Sequence, residues 1–133
     1  GESTYKLNEI LAGADFLHSI GKKTRLNTNG LGSAINGFDI APKLKGKIDT
    51  VSVSLNESDP ERYHKICHSA YGLNAYKMIT DFAAACVKQG INTLLTVVDV
   101  IPPEEIEKCR AVAEKIGARL RVRKYISNNE TYN

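Results

Sequence analysis

The sequence predicts an α/β fold with a parallel sheet, on three observations. Four short runs have β-type alternation. Three apolar stripes have helical spacing, each closed by a glycine. Stripes and runs then take turns along the chain. A strand presents side chains to opposite faces with a period of two, whereas a helix brings i, i+3 and i+4 onto one side. Alternating helices and strands argue for βα units with right-handed crossovers, hence parallel strands.

The elements follow in order. Leu7, Ile10, Leu11, Ala14 and Leu17 form the first helical stripe, and Gly21 closes it. Lys23 to Gly30, K-T-R-L-N-T-N-G, supplies a strand near residues 23–28. Ser33 to Lys47 is broken by Gly37 and Pro42 and reads as a short helix plus loop. Thr50 to Asn56, T-V-S-V-S-L-N, is a strand near 50–55, with Val51, Val53 and Leu55 opposite Ser52, Ser54 and Asn56. Asp59 and Pro60 look like an N-cap and first helical position. Ala75, Met78, Ile79, Phe82, Ala83, Cys86 and Val87 make the next stripe, closed by Gly90. Asn92 to Asp99, N-T-L-L-T-V-V-D, is a strand near 92–98. Pro103 opens a helix with Glu104 and Glu105 in its first turn, and Ile106, Cys109, Val112, Ala113 and Ile116 run to Gly117. Arg119 to Tyr125, R-L-R-V-R-K-Y, is the last strand, near 119–124, with Leu120 and Val122 opposite the arginines.

Strands between helices are usually apolar on both faces. These carry one polar face instead, which points to a cavity tolerant of anions. The apolar residues Val51, Val53 and Leu55 are expected under the helices, with Ser52 and Ser54 on the concave side.

Length and composition set the frame. The 133 residues suffice for a single domain, 1–133, and 42% hydrophobic with 25% charged residues is an ordinary globular balance. A net charge of +3 gives no argument for nucleic acid, and Tyr63, Tyr71 and Tyr76 do not interleave with a basic patch. No apolar run reaches membrane-spanning length and no signal peptide is evident, so the expected location is cytoplasmic. The three cysteines, Cys67, Cys86 and Cys109, are odd in number and widely spaced, as reduced thiols are. Cys86 and Cys109 fall within helical stripes as core fillers. His64, Cys67 and His68 share one helical face but lack a fourth ligand, so no metal site is assigned. The chain begins Gly-Glu without Met and reads as a truncated or processed chain.

In βα folds, ligands bind at the C-terminal ends of the strands. Here those ends are Asn27-Thr28-Asn29-Gly30, Ser54-Leu55-Asn56, Val98-Asp99 and Lys124-Tyr125. Gly1-Glu2 directly precedes a helix, so it is placed as the end of a strand lying upstream. Each candidate has a plainer reading. Glu2 also suits a helix first turn, Asn29-Gly30 is a common turn pair, and Ser52, Ser54, Arg119, Arg121 and Arg123 also suit solvated strand positions.

Gly1-Glu2-Ser3 resembles the end of the G-G-E-P motif of radical S-adenosylmethionine enzymes. The T-N-G of Thr28 to Gly30, the V-S-V-S-L-N of Val51 to Asn56 and the D-P-E-x-Y of Asp59 to Tyr63 follow that family's order. The R-L-N-T-N-G-L-G, V-S-V-S-L-N and R-V-R-x-Y segments are most similar to the subfamily linked to TatD-type deoxyribonucleases, over essentially the whole chain. The resemblance implies a partial (β/α)6 barrel that cleaves S-adenosylmethionine reductively with a [4Fe-4S] cluster and abstracts hydrogen from a substrate. It implies that Glu2 binds the methionyl amino group. Asn27, Asn29, Ser52, Ser54 and Asn56 would contact the amino-acid and ribose parts. Arg121 and Arg123 are candidates to hold a carboxylate or phosphate. The chain departs from the family in lacking C-x3-C-x2-C, the cluster-binding triad. It is therefore expected to be an inactive part of the parent enzyme. The alternatives are a (β/α)-barrel enzyme that binds a phosphorylated small molecule, with Asp99 as general base, or a non-catalytic interaction module. With its upstream neighbour missing, the strand at Lys23 to Thr28 would be an open edge, and association is expected, either as a homodimer through that edge or by exchange of elements between chains.

Overall fold

The computed structural model describes residues 6–30, 33, 36, 39–55 and 74–124. The elements are α1 (Leu7–Ser19), β1 (Arg25–Thr28), α2 (Ala41–Leu44), β2 (Thr50–Ser54), α3 (Asn74–Lys88), β3 (Asn92–Val98), α4 (Pro103–Ile116) and β4 (Arg119–Arg123). The four strands form one parallel sheet in the order β1-β2-β3-β4. Each strand thus lies beside the one before it in the chain.

The expected boundaries hold to within about two residues. Glycine explains the stops. Gly21, Gly90 and Gly117 have φ of +78°, +81° and +81°, a conformation that strains any side-chain-bearing residue, so each helix ends where its glycine turns the chain. Pro103 opens α4 because its missing N–H would have no partner in a first turn. The expected helix start at Asp59-Pro60 and the His64, Cys67 and His68 face lie outside the described residues.

The side-chain alternation is realised as expected. Leu26, Val51, Val53, Leu95 and Val97 share one face of the sheet and belong to the hydrophobic core. Against them pack Leu7 and Ala14 of α1, Ile40, Ala41 and Leu44 in and beside α2, Ile79, Phe82, Ala83 and Cys86 of α3, and Cys109 and Ala113 of α4. No strand residue from the opposite face enters that core, although Leu94 and Val98 are apolar. The described helices therefore cover one face. Val51, Val53, Ile79, Leu95, Cys86 and Cys109 are fully buried. Burial pushes the Cys86 thiol up to about 12, with the Asp39 carboxylate adding to the effect.

At the N-terminal ends of β1 and β2 a polar staple joins strand to helix. Thr24 N–H donates to Asp49 Oδ2 at 2.7 Å, Asp49 N–H returns a bond to Thr24 Oγ1 at 3.0 Å, and Thr24 O–H donates to Lys47 O at 2.7 Å. His18 Nε2 of α1 lies 3.0 Å from Asp49 Oδ2, and Lys47 Nζ lies 2.7 Å from Asp15 Oδ1. No described helix is long and apolar enough to cross a membrane.

Candidate functional site

The face of the sheet turned away from the helices is built from register. Parallel pairing sets Arg25, Thr50 and Asn92 in one row across the strands, then Asn27, Ser52, Leu94 and Arg119 in the next. Ser54, Thr96 and Arg121 follow, and Val98 and Arg123 make the row nearest the C-terminal ends. Neighbouring strands lie about 4.8 Å apart, so a row of three strands spans roughly 10 Å, the scale of a small ligand.

Several of these side chains are tied together. Asn92 Nδ2 donates to Thr50 Oγ1 at 3.2 Å and receives Arg119 Nη2 on its Oδ1 at 2.9 Å. Arg25 Nε donates to Asn27 Oδ1 at 3.2 Å. Thr96 Oγ1 reaches Val53 O at 3.4 Å. The lower two rows are thus held partly in place, as a binding surface needs.

Of the residues singled out from sequence, six belong to this face: Asn27, Ser52, Ser54, Arg119, Arg121 and Arg123. Asn27, Ser54, Arg121 and Arg123 are exposed. Ser52 is only 5% exposed, standing between the longer Asn27 and Leu94, so it lines the floor rather than reaching outward. Asn29 follows β1, half-buried, beside the turn in which Gly30 N–H donates to Thr28 Oγ1 at 3.0 Å. Asp99 is exposed just beyond β3, and its N–H donates to Arg123 O at 3.0 Å. Glu2 and Asn56 lie outside the described residues.

The sequence reading passed over Thr50, Asn92 and Thr96. Period-two spacing along Asn92, Leu94, Thr96 and Val98 already places them on one face, and Thr50 follows from Ser52 and Ser54. The same run shows where the polar face is interrupted, since Leu94 and Val98 belong to it too.

The residues suit an oxygen- and nitrogen-rich ligand, with an amide, hydroxyls and guanidinium groups on one surface. They do not suit an iron–sulfur cluster. The described thiols, Cys86 and Cys109, are buried in the core on the helix side. Among the described residues no group of His, Cys, Asp and Glu could hold a metal ion.

Comparisons with protein-family models, curated proteins and solved structures find no match to this chain.

Proposed function

We propose that this chain is the cofactor-holding part of a radical S-adenosylmethionine enzyme, with its sheet forming an arc of a partial (β/α)6 barrel. One observation carries the reading: the polar rows Asn27–Ser52 and Ser54–Thr96–Arg121 occupy the sheet face opposite the helices. Barrel strands succeed one another around an arc with their helices outside, whereas a doubly wound sheet reverses its strand order. The order β1-β2-β3-β4 has no reversal.

In this reading Asn27, Asn29, Ser52, Ser54 and Asn56 hold the amino-acid and ribose parts of S-adenosylmethionine, and Glu2 holds its amino group. Arg121 and Arg123 take an oxyanion on the far side of the same face. Together with a cluster, the cofactor supplies radical hydrogen-abstraction chemistry. Because the described thiols do not fit a cluster, this chain's own part is to bind and orient the cofactor, and alone it is inactive. The compartment is the cytoplasm.

Calorimetric titration of S-adenosylmethionine into the purified chain tests the reading. Saturable binding is expected, weakened about tenfold by Asn27→Ala or Ser54→Ala, the scale of one lost hydrogen bond. Absence of binding, or equal binding by both variants, would discard it.

A further inference from the structure

The charges on the candidate face are of one sign. None of the four strands contains Asp or Glu, and all their ionisable residues are arginines: Arg25, Arg119, Arg121 and Arg123. All four share the face turned away from the helices. The whole chain carries a net charge of only +3, so one sheet face concentrates cations that elsewhere are balanced.

The four are not equivalent. Arg25 is tied to Asn27 and Arg119 to Asn92. The side chains of Arg121 and Arg123 make no hydrogen bond or ion pair among the described residues. They stand two residues apart on β4, with Cα atoms about 6.6 Å from one another. Two guanidinium forks at that spacing can converge on one tetrahedral oxyanion, each presenting paired N–H donors. Two adjacent cations match a dianion better than a single carboxylate.

The cofactor sharpens the point. S-adenosylmethionine carries a sulfonium and an ammonium against one carboxylate, so it is a net cation. Bringing a cation onto a face of arginines costs repulsion, which an accompanying dianion offsets.

We infer that Arg121 and Arg123 form a subsite for a phosphate monoester carried by the substrate. Assigning that phosphate to the substrate rests on the cofactor reading above. The subsite itself rests on the strand geometry alone.

The test uses inorganic phosphate and, separately, acetate, titrated into the purified chain at constant ionic strength. Arginine side-chain N–H resonances report the binding. Phosphate is expected to saturate shifts at Arg121 and Arg123, with acetate leaving them in place. Arg121→Gln and Arg123→Gln should each weaken phosphate binding by roughly tenfold, the low end for a charged hydrogen bond because the site is exposed. Arg25→Gln, on the same face but tied to Asn27, should leave it unchanged. Equal binding of acetate, or an equal loss in Arg25→Gln, would overturn the subsite and leave only a diffuse positive field. Titration of S-adenosylmethionine into the same chain separates the two readings. Phosphate binding without cofactor binding sinks the cofactor reading alone, and cofactor binding without phosphate binding sinks the subsite alone.

Discussion

Asp49 Oδ2 accepts the backbone N–H of Thr24 at 2.7 Å, while the Asp49 N–H donates back to Thr24 Oγ1. The pair closes the N-terminal ends of β1 and β2, and His18 ties it to α1. The Thr24 N–H, and after it His18, hold the Asp49 carboxyl below its ordinary value of 3.8. A carboxyl with a depressed folded-state pKa binds its proton more weakly folded than unfolded. Its contribution is therefore complete above the ordinary value and is lost as pH falls through the lowered one. The urea midpoint is expected to drop as pH falls below about 4, and Asp49→Asn should flatten that part of the curve. An equally steep decline in the variant would place the acid sensitivity elsewhere.

Gly30 separates two costs that usually arrive together. Its φ is +80°, and a Cβ there would lie 3.0 Å from Ile79 Cγ1 and Cγ2 and 3.1 Å from Val53 Cγ1. Gly21 has φ of +78° with open space around it. Gly21→Ala should therefore cost only the left-handed strain, about 1 kcal/mol. Gly30→Ala adds overpacking between two fully buried side chains and should cost roughly 2–4 kcal/mol. Urea denaturation of both variants measures the difference. Equal losses would mean that Ile79 gives way freely.

Cys86 and Cys109 face the core, and neither is exposed. A thiol held near 12 is a poor iron ligand, because the thiolate is the ligating form. Anaerobic reconstitution of this chain is expected to leave it without a stoichiometric iron–sulfur cluster and without reductive cleavage of S-adenosylmethionine. Iron and sulfide assays after desalting check the first point, and product analysis checks the second. A stoichiometric cluster would contradict the first, and formation of deoxyadenosine the second.

The features that could be read in the sequence are those fixed by neighbours in the chain. Val51 and Val53 against Ser52 and Ser54 state which side of β2 is buried, and a slip of one residue would exchange the two sides. Gly117 after Ile116 states where α4 stops. Features that depend on distant residues could not be read. Ser52 is nearly buried because Asn27 and Leu94 stand on adjacent strands, and alternation along β2 carries no trace of that. The staple of His18, Thr24 and Asp49 joins residues up to 31 positions apart. The four-residue α2, with Pro42 near its start, is too short for periodicity to show, and Ile40, Ala41 and Leu44 hold it by burial instead. For the candidate site, alternation gave the face, and the resemblance gave only the ligand proposed for it. The strand register supplied what neither could, the row that brings Ser54, Thr96 and Arg121 together.

Self-association is expected on the β1 side of the sheet. β1 stands at one end of the described sheet, and an end strand is a template for pairing with another chain. Phe16 of α1 and Ile20 at its C-terminal cap are 62% and 52% exposed. A groove of about 220 Å³ between α1 and β1 is lined largely by apolar residues, among them Ile10, Leu17, Leu26 and Ile48. Strand edge and apolar groove thus adjoin on one side of the molecule. A second copy meeting that side about a two-fold axis would cover both features at once, and closed two-fold dimers are the commonest assembly. Sedimentation velocity at micromolar concentration is expected to show a dimer. Phe16→Lys combined with Ile20→Lys should return it to monomer without loss of helical circular dichroism, because both side chains already face water. A wild-type chain that sediments as a monomer would show that Arg25 and its neighbours blunt the edge sufficiently, and the dimer would be withdrawn.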